Sequence, residues 1–403
     1  MVAFAAGILA LGVMGPHSVA RPGSTAPASG LAVHSSAGAS GLPGGQVAGL
    51  DGVTQFSPEP ASVRTSRLVP GISTQSLAAV GTRLFFVSEG SGLQTTVIGS
   101  GSPPLTIATP PPCGAINQVS AAGNLLGYVE TEPASPASRF NGCEMGPKVA
   151  WTIWLTDLAG GHRRRLATGV RTIDTADTMR YPVRLALTPT KYAFNRPNSP
   201  GLMATGETIE VHGVADGKLL WTAQSDYRVE GLMLGGPTLA VLESEPELEI
   251  NVADASSPAL THVGLPASAA SLSDDGQYLT WDAIPDISLG AAGQLVTAEL
   301  GTGATRSMAV PSSSPTPTPL RPVVSSTPAG PIVAWYATAA GGTVYPAFLD
   351  PALKDNSVYP AARAPEWIAL RGSTLILVAN DDQTGDAIAY ALDLSLSGFA
   401  ASQ

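Results

Sequence analysis

The sequence is poor in the residues that usually carry metal or nucleophilic chemistry. Its 403 residues include two cysteines and five histidines, and charged residues make up 13%. Three of the histidines, His162, His212 and His262, lie beyond the N-terminal region, and none has another histidine or a cysteine at metal-ligand spacing. No G-x-S-x-G segment is placed on a strand-to-helix turn. A zinc site and a serine hydrolase are therefore disfavoured.

Positive charge is also scarce. The formal net charge is −10, with no basic stripe, which disfavours nucleic acids and anionic membrane surfaces as partners. Glycine (44) and proline (35) are abundant, and hydrophobic residues make up 44%. This composition is typical of an all-β chain with many turns.

The N-terminus has the features of an export signal, although no Lys or Arg precedes its apolar run. Val2 to Met14 carry no charge and are too few to span a bilayer comfortably, and Ser18-Val19-Ala20 fits a small-x-small cleavage site. We predict a signal peptide over residues 1–20, with a retained anchor as the alternative. The mature chain, without a membrane span, is then secreted, periplasmic or attached to the cell envelope.

Three further regions follow the leader. Residues 21–61 are nearly all Ala, Gly, Ser, Pro and Val, which predicts a disordered tether because such a segment buries too little surface to offset its ordering entropy. Residues 62–395 carry a repeat, and residues 396–403 form a C-terminal tail.

The repeat is an apolar strand, a tight turn and a glycine followed by a second apolar strand. Its spacing, about 40–50 residues over most of the chain, is typical of a β-propeller blade. The copies are GTRLFF (Gly81–Phe86), GNLLGY (Gly123–Tyr128), a degenerate TKYAFN (Thr190–Asn195), GPTLAV (Gly236–Val241), GQYLTW (Gly276–Trp281), GPIVAW (Gly330–Trp335) and GSTLIL (Gly372–Leu377).

Each repeat unit is predicted to hold four strands, A to D from the centre outward. The last unit ends after its third strand, Ala387 to Leu394, so we expect Ser62 to Val69 to supply the fourth and close the ring. The prediction is an all-β, seven-bladed propeller of four-stranded antiparallel blades, closed by an N-terminal strand. Six or eight blades are the alternatives because the third repeat is degenerate.

Two segments resemble TolB-like and WD40-like propeller repeats of bacterial and other proteins. They are TDLAGGHRRRLATG (Thr156–Gly169) and SLSDDGQYLTW (Ser271–Trp281). The resemblance implies a propeller and no particular activity. VADGKLLW (Val214–Trp221) is similar to a quinoprotein repeat, but no other blade matches it, so a pyrroloquinoline quinone enzyme is disfavoured and no cofactor is predicted.

The two cysteines predict a disulfide between Cys113 and Cys143 in an exported chain, with two buried thiols as the alternative. Cys113 falls in the predicted connection between blades one and two. Cys143 falls in the B–C loop of blade two, and both kinds of loop emerge on the same face of a propeller.

Acidic residues cluster at two predicted turns. Asn380, Asp382 and Thr384 resemble the first half of a calcium loop, but Ala391 occupies the position of the completing glutamate, so a polar turn is favoured over a metal site. Glu243 and Glu249 bound a second acidic turn, which we interpret as solvated.

Long loops are the strongest indication of where this protein acts, because propellers concentrate function in loops on a rigid scaffold. Three predicted B–C loops exceed a minimal hairpin, at about Thr131–Lys148, Arg196–Glu207 and Ile284–Gly293. Neutral insertions are the alternative interpretation. The candidate contact residues are Arg139, Asn141, Glu144, Arg196, Asn198, Asp282 and Asp286.

These features favour a monomeric protein-binding or scaffolding module that contacts another extracellular or envelope protein through the disulfide-bearing face. No catalytic residue is predicted. The alternatives are a carbohydrate-active hydrolase or lyase with acidic residues at the pore mouth, and a sensor of a small ligand or cation.

Overall fold

The structure is a computed structural model, and contact clustering divides it into two units, Met1–Ser35 and Ser36–Gln403. All described residues belong to the second unit. They are 54–55, 63–68, 72–88, 92–134, 139–140, 144–145, 148–172, 182–197, 206–244, 248–266, 269–283, 293–310, 321–328, 330–338, 344–349, 357–358, 365–380 and 387–394. The predicted leader and C-terminal tail, and most of the predicted tether, lie outside these residues and remain predictions.

Every regular element in the described residues is a β-strand. The first half contains β1 (Thr54–Gln55), β2 (Val63–Arg67), β3 (Ile72–Val80), β4 (Arg83–Ser88), β5 (Gly92–Val97), β6 (Leu105–Ala108), β7 (Ala115–Ala122), β8 (Leu125–Pro133), β9 (Arg139–Phe140), β10 (Glu144–Met145), β11 (Lys148–Asp157), β12 (Arg164–Thr172), β13 (Leu185–Leu187), β14 (Lys191–Pro197), β15 (Glu207–Gly213) and β16 (Leu219–Ser225).

The second half continues the same pattern. It contains β17 (Arg228–Gly235), β18 (Thr238–Ser244), β19 (Leu248–Ala253), β20 (Thr261–Gly264), β21 (Ala270–Leu272), β22 (Tyr278–Ala283), β23 (Gly293–Glu299), β24 (Ala304–Val310), β25 (Val323–Thr327), β26 (Gly330–Thr338), β27 (Val344–Leu349), β28 (Ser357–Val358), β29 (Pro365–Arg371), β30 (Thr374–Asn380) and β31 (Ala387–Asp393).

The strands form four-stranded antiparallel blades of a propeller, as predicted. Blade 1 is β3–β6, blade 2 is β7, β8, β11 and β12, blade 3 is β13–β16, blade 4 is β17–β20, blade 5 is β21–β24, and the closing blade is β29–β31 with β2. In each of blades 1 to 5, strands pair with their neighbours in chain order, from A at the centre to D at the rim.

The blade count differs from the prediction: the described residues form six four-stranded blades, not seven. Between blade 5 and the closing blade lies a five-stranded sheet of β25–β28 and β1, whose innermost strand β25 contacts both neighbours. Its outer strand β28 has only two residues, Ser357 and Val358, and β1 pairs with it in parallel. The segment Thr54–Gln55, assigned to the tether from sequence, thus adds an edge strand.

The predicted closure by an N-terminal strand is confirmed. β2 pairs antiparallel with β31, with Val63 opposite Leu392 and Arg67 opposite Ile388. One residue further on, the Leu68 amide donates to the Ala387 carbonyl at 2.8 Å. The chain therefore joins the start of the propeller to its end in one sheet, which leaves no gap between the closing blade and blade 1.

The recurrent glycine has a conformational cause. In the two-residue A–B turns, Gly81 has φ +54° and Gly372 has φ +55°, and the anchor glycines of the other glycine-bearing repeats also have positive φ. Glycine adopts this left-handed region without the steric penalty of a Cβ atom. Position 190, the one anchor that is not glycine, lies in the longer turn Thr188–Thr190 between β13 and β14.

The hydrophobic core consists of separate clusters between neighbouring sheets rather than one central cluster. One cluster joins blades 1 and 2 through residues such as Phe85 and Tyr128, and another joins blades 2 and 3 through Ile153 and Phe194. Similar clusters lie between blades 3 and 4, between blades 4 and 5, and on both sides of the closing blade. Each sheet is thus apolar on two faces, which explains the continuous apolar runs of the inner strands.

Candidate functional site

The antiparallel order of the strands gives the propeller two distinct ends. We call the end that carries the B–C and D–A connections the loop face, and the end that carries the A–B and C–D connections the turn face. On the loop face, the B–C connections run from Pro133 to Lys148, from Pro197 to Glu207 and from Ala283 to Gly293. The topology therefore brings the three predicted long loops to one end of the molecule.

The predicted contact residues occupy different positions in this architecture. Arg139 and Glu144 lie in a small hairpin, β9–β10, inserted between β8 and β11, with Arg139 opposite Met145 and Phe140 opposite Glu144. Asn141, Asn198 and Asp286 lie outside the described residues. Binding roles for all of them remain predictions.

Asp282 lies in strand β22 rather than in a loop. Its side chain is buried, and its Oδ1 accepts a hydrogen bond from the Ala269 amide at 2.8 Å. This contact fixes the start of strand A in blade 5 against strand B. The carboxylate thus has a structural role at the base of the loop face.

Arg196 lies at the end of β14, and its side chain is partly open to solvent. Its Nε lies 2.8 Å from Glu210 Oε1, and the side chain is 38% exposed. The guanidinium carbon lies 4.9 Å from the Phe194 ring centroid and 5.4 Å from that of Trp151. The cation is therefore held on two aromatic rings and one carboxylate, with part of its surface open to solvent.

The aromatic layer beneath Arg196 continues toward the turn face. His212 packs against both Tyr192 and Phe194, with ring centroids at 5.0 Å and 5.4 Å, and the latter two lie 6.2 Å apart. Its Nε2 lies 2.9 Å from Glu210 Oε2, so Glu210 contacts both Arg196 and His212. Burial raises the pKa of Tyr192 above its usual value. We call Arg196, Glu210, Phe194 and Trp151 the Arg196 patch.

A buried polar network holds the strand ends around this patch. Arg171, on β12 of blade 2, pairs with Glu207 on β15 of blade 3 at 2.6 Å, and both side chains are buried. Asn195 donates to the second oxygen of Glu207 at 2.5 Å, and the Val229 amide of blade 4 donates to the same oxygen at 3.2 Å. One carboxylate thus joins three blades beneath the loop face.

Glu243 is a second buried carboxylate on the loop face, at the end of β18, and the interpretation of its turn as solvated is wrong at this position. Its side chain is 5% exposed. Asn251 donates a hydrogen bond to Oε2, while Oε1 has no hydrogen-bond partner among the described residues. Burial raises the pKa of Glu243 by more than the side chains of Ser225 and Asn251 lower it, and the charges of Glu249 and Asp226 add to the increase.

Of the two cysteines of the predicted disulfide, one lies within the described residues. Cys113 lies in the D–A connection between β6 and β7, on the loop face as expected, and has φ +61°. Cys143 lies outside the described residues, immediately before β10. The disulfide remains a prediction.

No metal centre appears in the part of the chain that the structure describes: no group of three or more His, Cys, Asp or Glu side chains is placed to hold an ion. Asn380 is the last residue of β30, opposite Ala387, while Asp382 and Thr384 lie outside the described residues. Among the described residues, no helix is long and apolar enough to cross a membrane.

The predicted resemblance to propeller repeat proteins is confirmed at the level of the fold. The structure titled "Structure of U3-55K" matches with a TM-score of 0.50 and 12% identity over 83% of this chain and 100% of that chain. One from a study of two prolyl endopeptidases has a TM-score of 0.51 and 12% identity, over 83% of this chain and 49% of that one. TolB from Acinetobacter baumannii has a TM-score of 0.38 and 13% identity, over 82% of this chain and 80% of its own.

At these identities the similarity concerns the fold alone. No protein-family model matches the sequence, and no curated protein is significantly similar to it. The function must therefore be inferred from the residues and their geometry.

Proposed function

We propose that this protein is a secreted or cell-envelope propeller that binds another protein through its loop face. The observation that carries the proposal is the Arg196 patch: a partly exposed guanidinium held by Glu210 and two aromatic rings, next to the long loops of blades 2 and 3. Arginine and aromatic residues are the types most often found at binding hot spots.

Preorganisation supports a binding role for this arginine. A free arginine side chain loses rotamer entropy when it is immobilised at an interface, at a cost of about 0.5–1.5 kcal/mol. Here Glu210 and the rings of Phe194 and Trp151 already restrict Arg196, and the Arg171–Glu207 network fixes the strands below. A partner carboxylate or backbone carbonyl would therefore meet a donor that is already oriented.

The loops and the leader support the remaining parts of the proposal. The B–C connections of blades 2 and 3 begin and end on strands β8, β11, β14 and β15, three of which carry the residues of the Arg196 patch, and surface loops on a rigid scaffold are common recognition elements. The N-terminal apolar segment supports export, and an exported chain is the setting in which a Cys113–Cys143 disulfide would be stable.

The test is affinity capture from the native envelope and culture medium with four full-length baits. They are the wild type, Arg196→Glu, a form with the three long B–C loops replaced by short turns, and a control, Asp216→Lys with Lys218→Asp. The control exchanges an exposed pair on the turn face, 3.6 Å apart, without changing the net charge. Circular dichroism and thermal unfolding establish that all four baits are folded.

We expect one protein to be captured equally by the wild type and the control, and at least tenfold less by Arg196→Glu and the trimmed form. Purified partner and bait should then bind directly with the same order of affinities. Capture that is unchanged in Arg196→Glu and the trimmed form, or no partner from either source, would rule out the loop face as the binding surface.

A further inference from the structure

The turn face contains a cavity that the proposed function does not use. Its volume is about 690 Å³, within the range of small-ligand sites. It lies where the A–B turns of blade 5, the five-stranded sheet and the closing blade meet near the central channel. The lining residues are Asp274, Asp275, Gln277, Tyr278, Ser325, Ser326, Thr327, Pro328, Gly330 and Gly372.

The acidic wall of the cavity is fixed by hydrogen bonds. Asp275 Oδ1 accepts from the Ser273 hydroxyl at 2.6 Å and from the Gln277 amide at 3.0 Å. Burial alone would raise the pKa of Asp275, but the hydrogen bonds from Ser273, Ser326 and Gln277 outweigh it and lower the pKa. Asp275 is therefore an ionised acceptor of fixed orientation.

Asp274 is the more accessible carboxylate. Its side chain is 70% exposed and lies 3.3 Å from the Arg371 guanidinium of the closing blade. Arg371 also approaches the Ala79 carbonyl of blade 1 at 3.4 Å. Each carboxylate oxygen can accept two hydrogen bonds, so Asp274 retains capacity for a ligand while Arg371 partly balances its charge.

The lining excludes two classes of ligand. Hydroxyl, amide and carboxylate groups dominate it, and an apolar ligand would have to desolvate these groups without replacing their hydrogen bonds. An anion would meet Asp274 and Asp275 in a protein whose formal net charge is already −10. The suitable ligand is polar, not anionic, and rich in hydroxyl donors and acceptors.

We propose that this cavity binds a neutral polyhydroxylated ligand of monosaccharide or disaccharide size. Sugar hydroxyls would accept from the Gln277 side-chain amide and donate to Asp274. They would also donate to the hydroxyl oxygens of Ser326 and Thr327, whose own protons already go to Asp275 and to the Gly330 carbonyl. The ring of Tyr278, a lining residue, would pack against the C–H face of the sugar. A cationic amine is the competing ligand, because Arg371 offsets only one of the two carboxylates.

Two substitutions test the site and a third is their control. Asp274→Asn removes the accessible charged acceptor. Gly372→Asn places a side chain at the rim, because a Cβ at Gly372 meets no atom within 4 Å and asparagine tolerates its φ of +55°. Gly81→Asn is the matched control: it has φ +54° and equally open space in the A–B turn of blade 1, away from the cavity lining.

Saturation-transfer NMR and calorimetry on the full chain would use glucose, N-acetylglucosamine, mannose, galactose and their disaccharides. Spermidine is the cationic probe and glucuronate the anionic one. We expect at least one neutral sugar to bind the wild type and Gly81→Asn equally, and at least tenfold more weakly Asp274→Asn and Gly372→Asn.

Three results would overturn the proposal. They are binding of no neutral sugar, binding that is unchanged in Asp274→Asn and Gly372→Asn, and binding of spermidine in place of the sugars. Since the cavity and the Arg196 patch lie on opposite faces, Arg196→Glu should leave sugar binding unchanged. The two proposals can therefore fail separately.

Discussion

Glu207 and Glu243 are both buried near the loop face, but their surroundings differ. Glu207 has a cationic partner, Arg171, and two further hydrogen-bond donors. Glu243 has the Asn251 amide on one oxygen and no partner for the other among the described residues. An ionised carboxylate without a cation is costly in a buried site, so burial raises the pKa of Glu243, whereas Glu207 has a cation that offsets this cost.

The pH dependence of the free energy of unfolding should show the raised pKa of Glu243 in the folded protein. Because the folded-state pKa is raised above the ordinary value of 4.5, folding retains a proton that the unfolded chain releases. This contribution to the free energy of unfolding is complete below the unfolded-state pKa and is lost as the pH rises through the folded-state pKa. Urea unfolding from pH 4 to pH 7 should therefore show a steeper loss in the wild type than in Glu243→Gln.

The control is Glu132→Gln, which removes an exposed carboxylate from β8. It should leave the wild-type pH profile unchanged. Parallel profiles for Glu243→Gln and the wild type would contradict a raised pKa of Glu243 in the folded protein.

At the residue scale, the sequence identified Arg196 as a candidate contact residue but did not predict which side chains surround it. The pattern around β14 gives no indication that Glu210 and Trp151 converge on Arg196, because Trp151 belongs to blade 2 and Glu210 to a different strand of blade 3. Arg171 and Glu207 are 36 residues apart, and no spacing rule connects them. Contacts between neighbouring blades depend on how the sheets pack, which is not encoded in any one repeat.

Among the elements, β2 and β31 close the ring by pairing the start of the propeller with its end. Ser66 lies opposite Ala389, and the Leu68 amide donates to the Ala387 carbonyl. The amides of Ser66 and Leu68 therefore point toward β31. The residues that alternate with Ser66 and Leu68 along this edge strand point their amides away from β31, toward solvent.

Proline substitutions at two positions test this arrangement, one where the amide points toward β31 and one where it points toward solvent. Ser66→Pro should remove a ladder hydrogen bond and lower the thermal unfolding midpoint by several degrees, because about 1 kcal/mol or more is lost from the closing sheet. Thr65→Pro, the control, places proline where no ladder bond is made and should have a clearly smaller effect. Equal losses in the two variants would show that β2 contributes no directional pairing.

Strand boundaries were predicted best where a turn signal delimits them. The sequence predicts strand B of blade 5 over Tyr278–Ala283, following a hairpin turn at Asp274-Asp275-Gly276, and β22 has these bounds. Strand C of blade 2 is predicted from the sequence over Trp151–Asp157, but β11 begins at Lys148, because it pairs with Pro133 of β8 through Val149 and with Thr172 of β12 through Lys148. The hairpin β9–β10 and the parallel strand β1 were not predicted, since two-residue strands carry no periodicity.

For the molecule as a whole, the untested expectations are export and the disulfide. If both hold, protein isolated from its native source should begin at Arg21 and contain no free thiol. Reduction should then lower the thermal midpoint, because closing a loop of about thirty residues contributes roughly 3–4 kcal/mol.

The Cys113→Ser, Cys143→Ser double variant provides the control. It should unfold at the midpoint of the reduced wild type and show no response to reductant. Two titratable thiols in the native protein, or a midpoint that is insensitive to reduction, would contradict the disulfide.

Sequence alone determined the propeller class and its four-stranded blades, though not their number, because in six of the seven repeats a left-handed position at the A–B turn selects glycine. It also determined the closing strand, since the last repeat lacks one. Tertiary structure decided which polar groups share an environment: Arg196 with Glu210, Arg171 with Glu207, and Asp274 with Arg371. The first contact joins neighbouring strands of one blade, whereas the other two join different sheets and arise only when the blades pack around the ring.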